Sequence, residues 1–588
     1  TWSSDGKSVY FISNREGGSQ LWQVDVNSGK LKKITSVEGG INGYQISPNQ
    51  TSIWYTTQVK VDQTAKDKHS DMDKANAMIY DDLMARHWDY WLDGTYSHIF
   101  VAEFDGVSIQ NATNIMEGEP WDAPLAPYFD SSEISWSNDG KLLAYACKKL
   151  TGLEYAESTN SDIYLYNMAD KTTSNITEGM VGYDLYPLFS PDDKQLAWVS
   201  MERMSNESDK ERLFVVDLES GKKSYLTKEF DYNASSLVWD SNSSLYFIAP
   251  MQATHQICKV EVKEGAEVEV LTEGLHDYNS ILKYGDKLLA TKTTLSMASE
   301  IFSVDPSSGD ETQISYINKD IYDNVDMAKV EKRWVKTTDG KEMLVWVILP
   351  PNFDENKKYP TLLYCQGGPQ SVVSQFWSYR WNFQLMAAQG YVVVAPNRRG
   401  LPSFGSEWLD QISGDYSGQN IKDYLSAIDA VSKEKWVDSD RRACVGASYG
   451  GYSTFFLAGN HEKRFKTFIA HCGMFNMESF YYGTEELWFP NNDLKGAPHS
   501  DDPIAKRSYA NSPHKFVKNW DSPILIFSGL KDYRIPYSEN LQAFTAARTM
   551  GLEARLVAFE DEGHQVFKPQ NAMIWHREFY EWLDKYLK

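Results

Sequence analysis

Two patterns of apolar and polar positions divide this chain. In the first, alternating runs such as Ser8-Val9-Tyr10-Phe11-Ile12 and Leu142-Leu143-Ala144-Tyr145-Ala146 follow Asp-Gly or Asn-rich turns, as the strands of hairpins do. The turn recurs as Ser4-Asp5-Gly6-Lys7, Ser137-Asn138-Asp139-Gly140-Lys141 and Ser190-Pro191-Asp192-Asp193-Lys194. Looser copies stand at Ser47-Pro48-Asn49, Asp240-Ser241-Asn242 and Tyr284-Gly285-Asp286-Lys287. Each unit closes on a small hydroxylated residue: Thr35, Thr113, Thr177, Thr227, Thr272 and Ser315. The last of these are spaced by about 43–50 residues, and such a period with several strands per unit predicts a β-propeller over residues 1–329. Six units are visible and the chain opens in mid-repeat, so at least one more unit is expected upstream. A stacked array of β-sandwiches is the alternative.

Near residue 330 the pattern changes. Apolar runs at 343–349, 361–365, 391–395, 443–445, 467–470, 523–527 and 555–559 alternate with helical stretches, and an amphipathic helix is expected from Ala572 to Leu587. That βαβ order predicts a mostly parallel sheet covered by helices over residues 330–588. Two excursions interrupt the first half. One spans 61–97 and contains Tyr80-Asp81-Asp82-Leu83-Met84-Ala85-Arg86-His87-Trp88-Asp89, which reads as helical; the other is Glu202–Lys210. Long departures from a rigid scaffold are where binding residues collect.

Composition narrows the function classes. A net charge of −23 argues against a nucleic-acid partner, which needs a basic surface to displace counterions, and suits cationic ligands such as peptide amino termini, with plain solubility as the alternative. No apolar stretch approaches the roughly 18 residues of a membrane helix. The five cysteines have no paired spacing, so neither a disulfide framework nor a metal site is expected, and no cofactor. Aromatic residues reach 14%, which fits β-rich architecture and apolar pockets.

The chemistry is concentrated in the second half. Gly446-Ala447-Ser448-Tyr449-Gly450-Gly451 lies between an apolar strand and a helical run, the setting of a nucleophile elbow in an α/β-hydrolase. A serine hydroxyl needs a base, and the base needs an orienting carboxylate, in the chain order Ser, Asp, His. His564 is the histidine in a Gly-containing loop before the last helix, and Asp532 follows the strand 523–527. The catalytic candidates are therefore Ser448, Asp532 and His564. An oxyanion needs preorganised donors, assigned here to the N–H of Tyr449 and, from Gln366-Gly367-Gly368-Pro369, that of Gly368; an ordinary turn is the other reading of that loop. The segment Phe480–Phe489 is aromatic, so Phe480, Tyr482 and Trp488 are candidates for a substrate pocket, with core packing as the alternative.

With Asn397-Arg398-Arg399-Gly400 and Asp532-Tyr533-Arg534-Ile535-Pro536 added, the whole chain resembles the prolyl oligopeptidase family, and within it a bacterial and fungal dipeptidyl-peptidase branch. The resemblance implies a periplasmic or secreted serine exopeptidase. It would act on oligopeptide substrates, releasing dipeptides from free amino termini with apolar residues at the cut. It also allows a homodimer. In such enzymes acidic residues on the propeller side hold the substrate ammonium, which nominates Glu202 and Glu207, with Arg86 for a peptide carbonyl. A solvated charged loop is the plain alternative. Acylaminoacyl peptidase or endo-acting oligopeptidase activity would share the triad, an esterase is a more distant reading, and a silent propeller binding module is the non-enzymatic one.

Overall fold

The structure is a computed structural model describing residues 1–588. Its first half is a succession of antiparallel meanders. A three-stranded sheet (Ser8–Ser13, Gln20–Asp25, Leu31–Lys33) is followed by three four-stranded sheets and then by two more meanders joined through one parallel bridge, His255 to Asp277.

Local chemistry explains why the repeat reads as it does. Ser3, Ser47, Ser137 and Ser190 each donate to the Asp or Asn two residues on and accept the N–H five residues on at 2.9–3.0 Å. This side-chain bonding fixes the turn that starts the hairpin. Thr35, Thr177, Thr227, Thr272 and Ser315 accept the backbone N–H of Leu21, Ile163, Leu213, Ile257 and Ile301, at 2.7–3.0 Å. Each hydroxyl thus closes its meander on a strand about 14 residues earlier. Thr113 departs from the pattern. It lies inside the strand Ile109–Asn114 opposite Val101, and Asn114 serves the turn by accepting the Met116 N–H at 2.9 Å.

The second half is one eight-stranded sheet: β1 (Lys329–Lys336), β2 (Glu342–Leu349), β3 (Tyr359–Cys365), β4 (Val392–Pro396), β5 (Val437–Ala447), β6 (Thr467–His471), β7 (Ile524–Gly529) and β8 (Ala554–Phe559). Its spatial order is β1-β2-β4-β3-β5-β6-β7-β8. The first two strands pair antiparallel, and those from β4 to β8 are parallel neighbours. Both faces are buried, as a parallel sheet requires. In β2, Met343, Val345 and Val347 feed one core while Leu344, Trp346 and Ile348 feed the other. Helices α1 (Tyr449–Ala458) and α2 (Pro569–Leu587) pack against this sheet, and none of the helices is long and apolar enough to cross a membrane.

The connections between the second and third strands of three successive meanders meet the hydrolase half. They are residues 61–94, 148–161 and 201–211. The first was expected to be helical at residues 80–89 but is a short hairpin, Arg86–His87 paired with Tyr90–Trp91. Its side chains have separate partners across the interface, and those contacts override the local periodicity.

Candidate active site

Between β5 and α1, Ser448 makes the turn alone, with φ 58° and ψ −124°. A non-glycine residue occupies this region only when its surroundings hold it there. The Ser448 N–H donates to the His471 carbonyl at 2.9 Å. A Cβ on Gly450 would sit 2.0 Å from the Cys365 carbonyl oxygen, so the sharp approach of helix to strand demands glycine.

The loops after β7 and β8 bring the other two groups. His564 Nε2 stands 3.0 Å from Ser448 Oγ, and His564 Nδ1 stands 2.8 Å from Asp532 Oδ2. Asp532 is fully buried and its Oδ1 accepts the Ile535 N–H at 2.9 Å, which leaves Oδ2 for the imidazole. Burial disfavours a charged His564, but the Asp532 charge and hydrogen bond outweigh it and hold the imidazolium well above its ordinary range. Ser448 remains partly exposed, so a substrate carbonyl can reach it.

Around Ser448, donors are available where negative charge would develop. Tyr449 is the first residue of α1, so its N–H has no acceptor within the helix. The loop after β3 lies against the nucleophile: a Cβ on Gly367 would be 3.5 Å from that of Ser448, and Gly368 follows at φ +109°. Of the two expected oxyanion residues, Tyr449 adjoins the serine directly; in the loop it is Gly367, one residue before the expected Gly368, that lies against it.

Beside this triad is a buried charged cluster shared by the two halves. Arg534, two residues past Asp532, donates to Glu207 Oε1 at 3.0 Å and also bonds Glu486. His87 Nε2 lies 2.8 Å from Glu486 Oε1, and the Trp88 N–H donates to Glu485 at 3.2 Å. The Trp88 ring separates cluster from triad, 5.7 Å from the His564 ring and 5.6 Å from the Arg534 guanidinium. The Lys148 ammonium stands over the Trp488 ring at 4.0 Å, and Trp488 Nε1 donates to Glu207 at 3.0 Å. Burial pushes Lys148 down to about 7 against the pull of Glu486 and Glu207. Glu486 resists burial through Arg534 and His87 and falls to about 2, while burial and the Glu486 charge raise Glu485.

The remaining expected residues divide. Glu207 and Trp488 belong to the cluster. Glu202 does not: its side chain is 73% exposed and faces Arg212 at 3.4 Å. The loop is folded round Asp209, which accepts the N–H groups of Glu202 and Arg203 and turns Glu202 outward. Arg86 donates to the Gly483 carbonyl at 2.8 Å and lies over the rings of Trp91 and Tyr533. Phe480 is core, with no exposed surface. Tyr482 is exposed; it lines a cavity of about 230 Å³ between the hairpin and residues 481–487, and its hydroxyl lies 2.9 Å from His499 Nδ1. His87, Trp88, Lys148, Glu485, Glu486 and Arg534 were not picked out by the sequence reading. The adjacency of Arg534 to Asp532 was the available signal.

Two groups contain donor atoms close enough for a metal, Cys472–Asp532–His564 and His87–Glu485–Glu486. In each the histidine nitrogens or carboxylates are already committed to hydrogen bonds and ion pairs.

Comparison with known proteins identifies the family and the fold. The model of the "Prolyl oligopeptidase family" matches residues 377–588. Dipeptidyl-peptidase 5 of Porphyromonas gingivalis is 48% identical over all of this chain and 86% of its own length. That of Schizosaccharomyces pombe is 27% identical over 100% and 86%. Among solved structures, the uncomplexed acylaminoacyl peptidase of Pyrococcus horikoshii superposes with a TM-score of 0.82 at 21% identity, covering 100% of this chain and 88% of that one. This last likeness concerns the fold alone.

Proposed function

Because the chain belongs to the prolyl oligopeptidase family of serine peptidases, we propose that it releases dipeptides from the free amino termini of peptides through an acyl-enzyme on Ser448. In this reading His564 Nε2 takes the Ser448 proton as Oγ attacks the second carbonyl of the substrate. Asp532 keeps Nδ1 protonated and stabilises the imidazolium. The tetrahedral oxyanion is met by the Tyr449 N–H and by the loop at Gly367-Gly368. His564 then protonates the departing amine, and water repeats the sequence to free the dipeptide.

The observation that carries the exopeptidase reading is the Glu207–Arg534 pair, one indole beyond His564. Two extended residues span roughly 7 Å. A carboxylate fixed on this side of the site would bind the ammonium of a dipeptidyl unit and count two residues back from the cut. Glu207 shares Arg534 with Glu486, and a substrate ammonium would give Glu207 a cation of its own. An acetylated terminus offers no such charge, so the cluster favours dipeptide release over acylaminoacyl hydrolysis. Arg534 also has donors for a peptide carbonyl. A β-propeller over 1–329, with the hydrolase over 330–588, is supported by the succession of contacts from turn to turn: Ser4 to Gln50, Asn49 to Asp139, Asn138 to Asp193 and Asp192 to Asn242.

A matched pair of peptides, free and acetylated, decides the question. The free form is expected to be cleaved two residues from its terminus, and Glu207→Gln to lower its kcat/KM by roughly 30-fold or more, the cost of unpairing a buried charge. Preferential cleavage of the acetylated form would sink the proposal.

A further inference from the structure

Arg398 and Arg399 stand side by side after β4, and their surroundings differ sharply. Arg399 pairs with the carboxylates of Asp339 and Asp423, as a buried arginine ordinarily does. Arg398 is completely buried, yet every acceptor it meets is neutral: the Tyr424 hydroxyl at 3.1 Å, the Arg399 carbonyl at 2.9 Å and the Pro369 carbonyl at 2.8 Å. Its guanidinium also lies against the Tyr449 ring, 4.6 Å from the centroid. A desolvated cation without a counter-ion is costly to hold, so its place in the fold calls for a reason.

Its partners supply one. Pro369 ends the loop that borders Ser448. At the start of that loop the Gln366 carbonyl accepts from the Tyr424 hydroxyl at 3.4 Å, and Tyr424 is itself held by Arg398 Nε. Tyr449 is the residue after the nucleophile. One guanidinium therefore ties together both ends of the loop and the side chain behind the other backbone donor. The Gln366 carbonyl and the Gly367 N–H share a peptide unit, so a donor on the carbonyl polarises the N–H beside the serine.

We infer that Arg398 is a positioning residue for the oxyanion hole. It sets the 366–369 loop and Tyr449 against Ser448, and its unneutralised charge favours the anionic tetrahedral state over the neutral ground state. This role rests on the acyl-transfer reading above.

The test uses Arg398→Met and Arg398→Lys in the full chain. Three quantities are read: kcat and KM for a dipeptidyl anilide, inhibition by a dipeptide boronic acid, which forms an anionic tetrahedral adduct on serine, and inhibition by the matching dipeptide alcohol, which does not. In Arg398→Met, kcat and boronate affinity are expected to fall together by about 100-fold, while KM and alcohol affinity stay within about threefold. Arg398→Lys keeps the charge but loses the planar fork, and is expected to fall between. A folded Arg398→Met with kcat near wild type, or an equal loss of boronate and alcohol affinity, overturns the inference. If the Met variant does not fold, the Lys variant is judged by the same comparison. A wild-type enzyme that releases no dipeptide overturns the functional reading instead, and the two failures are thereby distinct.

Discussion

At the scale of single residues, the triad makes the clearest demand on pH. Catalysis needs neutral His564, and Asp532 raises the pH at which that form appears. Replacing Asp532 with Asn removes the charge but not the shape. kcat is expected to drop by about 10⁴-fold through loss of the correct tautomer. The acid limb of the residual kcat/KM profile should move to lower pH, because an imidazole without its carboxylate loses its proton more readily. A pH–rate series on the variant with a sensitive fluorogenic substrate checks both. The linked stability has a definite sign: the His564–Asp532 pair stabilises the fold below the ordinary histidine pKa and ceases to as pH climbs through the raised one. These residues were legible in the sequence because each is fixed by local context, the serine by its glycines and the other two by the strands they follow. The same reasoning gave Glu207 and Glu202 equal standing. Only the fold of the 201–211 loop round Asp209 separates them.

The repeating hydroxyl is the device to test at the scale of elements. Thr177 accepts the Ile163 N–H at 3.0 Å in a fully buried position. Thr177→Val leaves that N–H unpaired at nearly constant volume, at a cost of about 1–3 kcal/mol. The expected result is an earlier urea midpoint for the β-rich half, followed by tryptophan fluorescence, with kcat unchanged at 25 °C. An unmoved midpoint would mean that the hydroxyl is incidental to the repeat. The spacing of these residues made the meanders readable because the same bond recurs in each. The hairpin Arg86–Trp91 was unreadable for the opposite reason. Its order comes from Gly483, Glu485, Glu486 and Tyr533, about 400 residues away in sequence, and no local pattern encodes partners so remote.

For the whole molecule, charge is the dominant property. A net charge of −23 on the protein attracts a cationic peptide before contact, and salt screens that attraction. kcat/KM for a free-amine dipeptidyl substrate should therefore fall with ionic strength more steeply than that for its acetylated counterpart, in a stopped-flow or initial-rate series across added NaCl. Parallel slopes would argue that encounter is not steered by the ammonium. The division into a β-rich and an α/β half was visible from the switch in periodicity. The way the halves meet was not, since contacts such as Arg203 to Asp410 and Arg534 to Glu207 join positions that nothing in the sequence relates.

One consequence of the shared cluster concerns equilibrium rather than geometry. Glu207 comes from one half of the chain, and Arg534 and Glu486 come from the other. Any excursion that parts the halves dismantles the proposed amine anchor while leaving Ser448, His564 and Asp532, which share one sheet, intact. Apparent affinity for substrate is then the intrinsic affinity multiplied by the fraction of time the halves are closed. By the same linkage, a bound dipeptide acts as a clasp that draws the two halves into a single cooperative unit, with a common melting temperature set by ligand concentration.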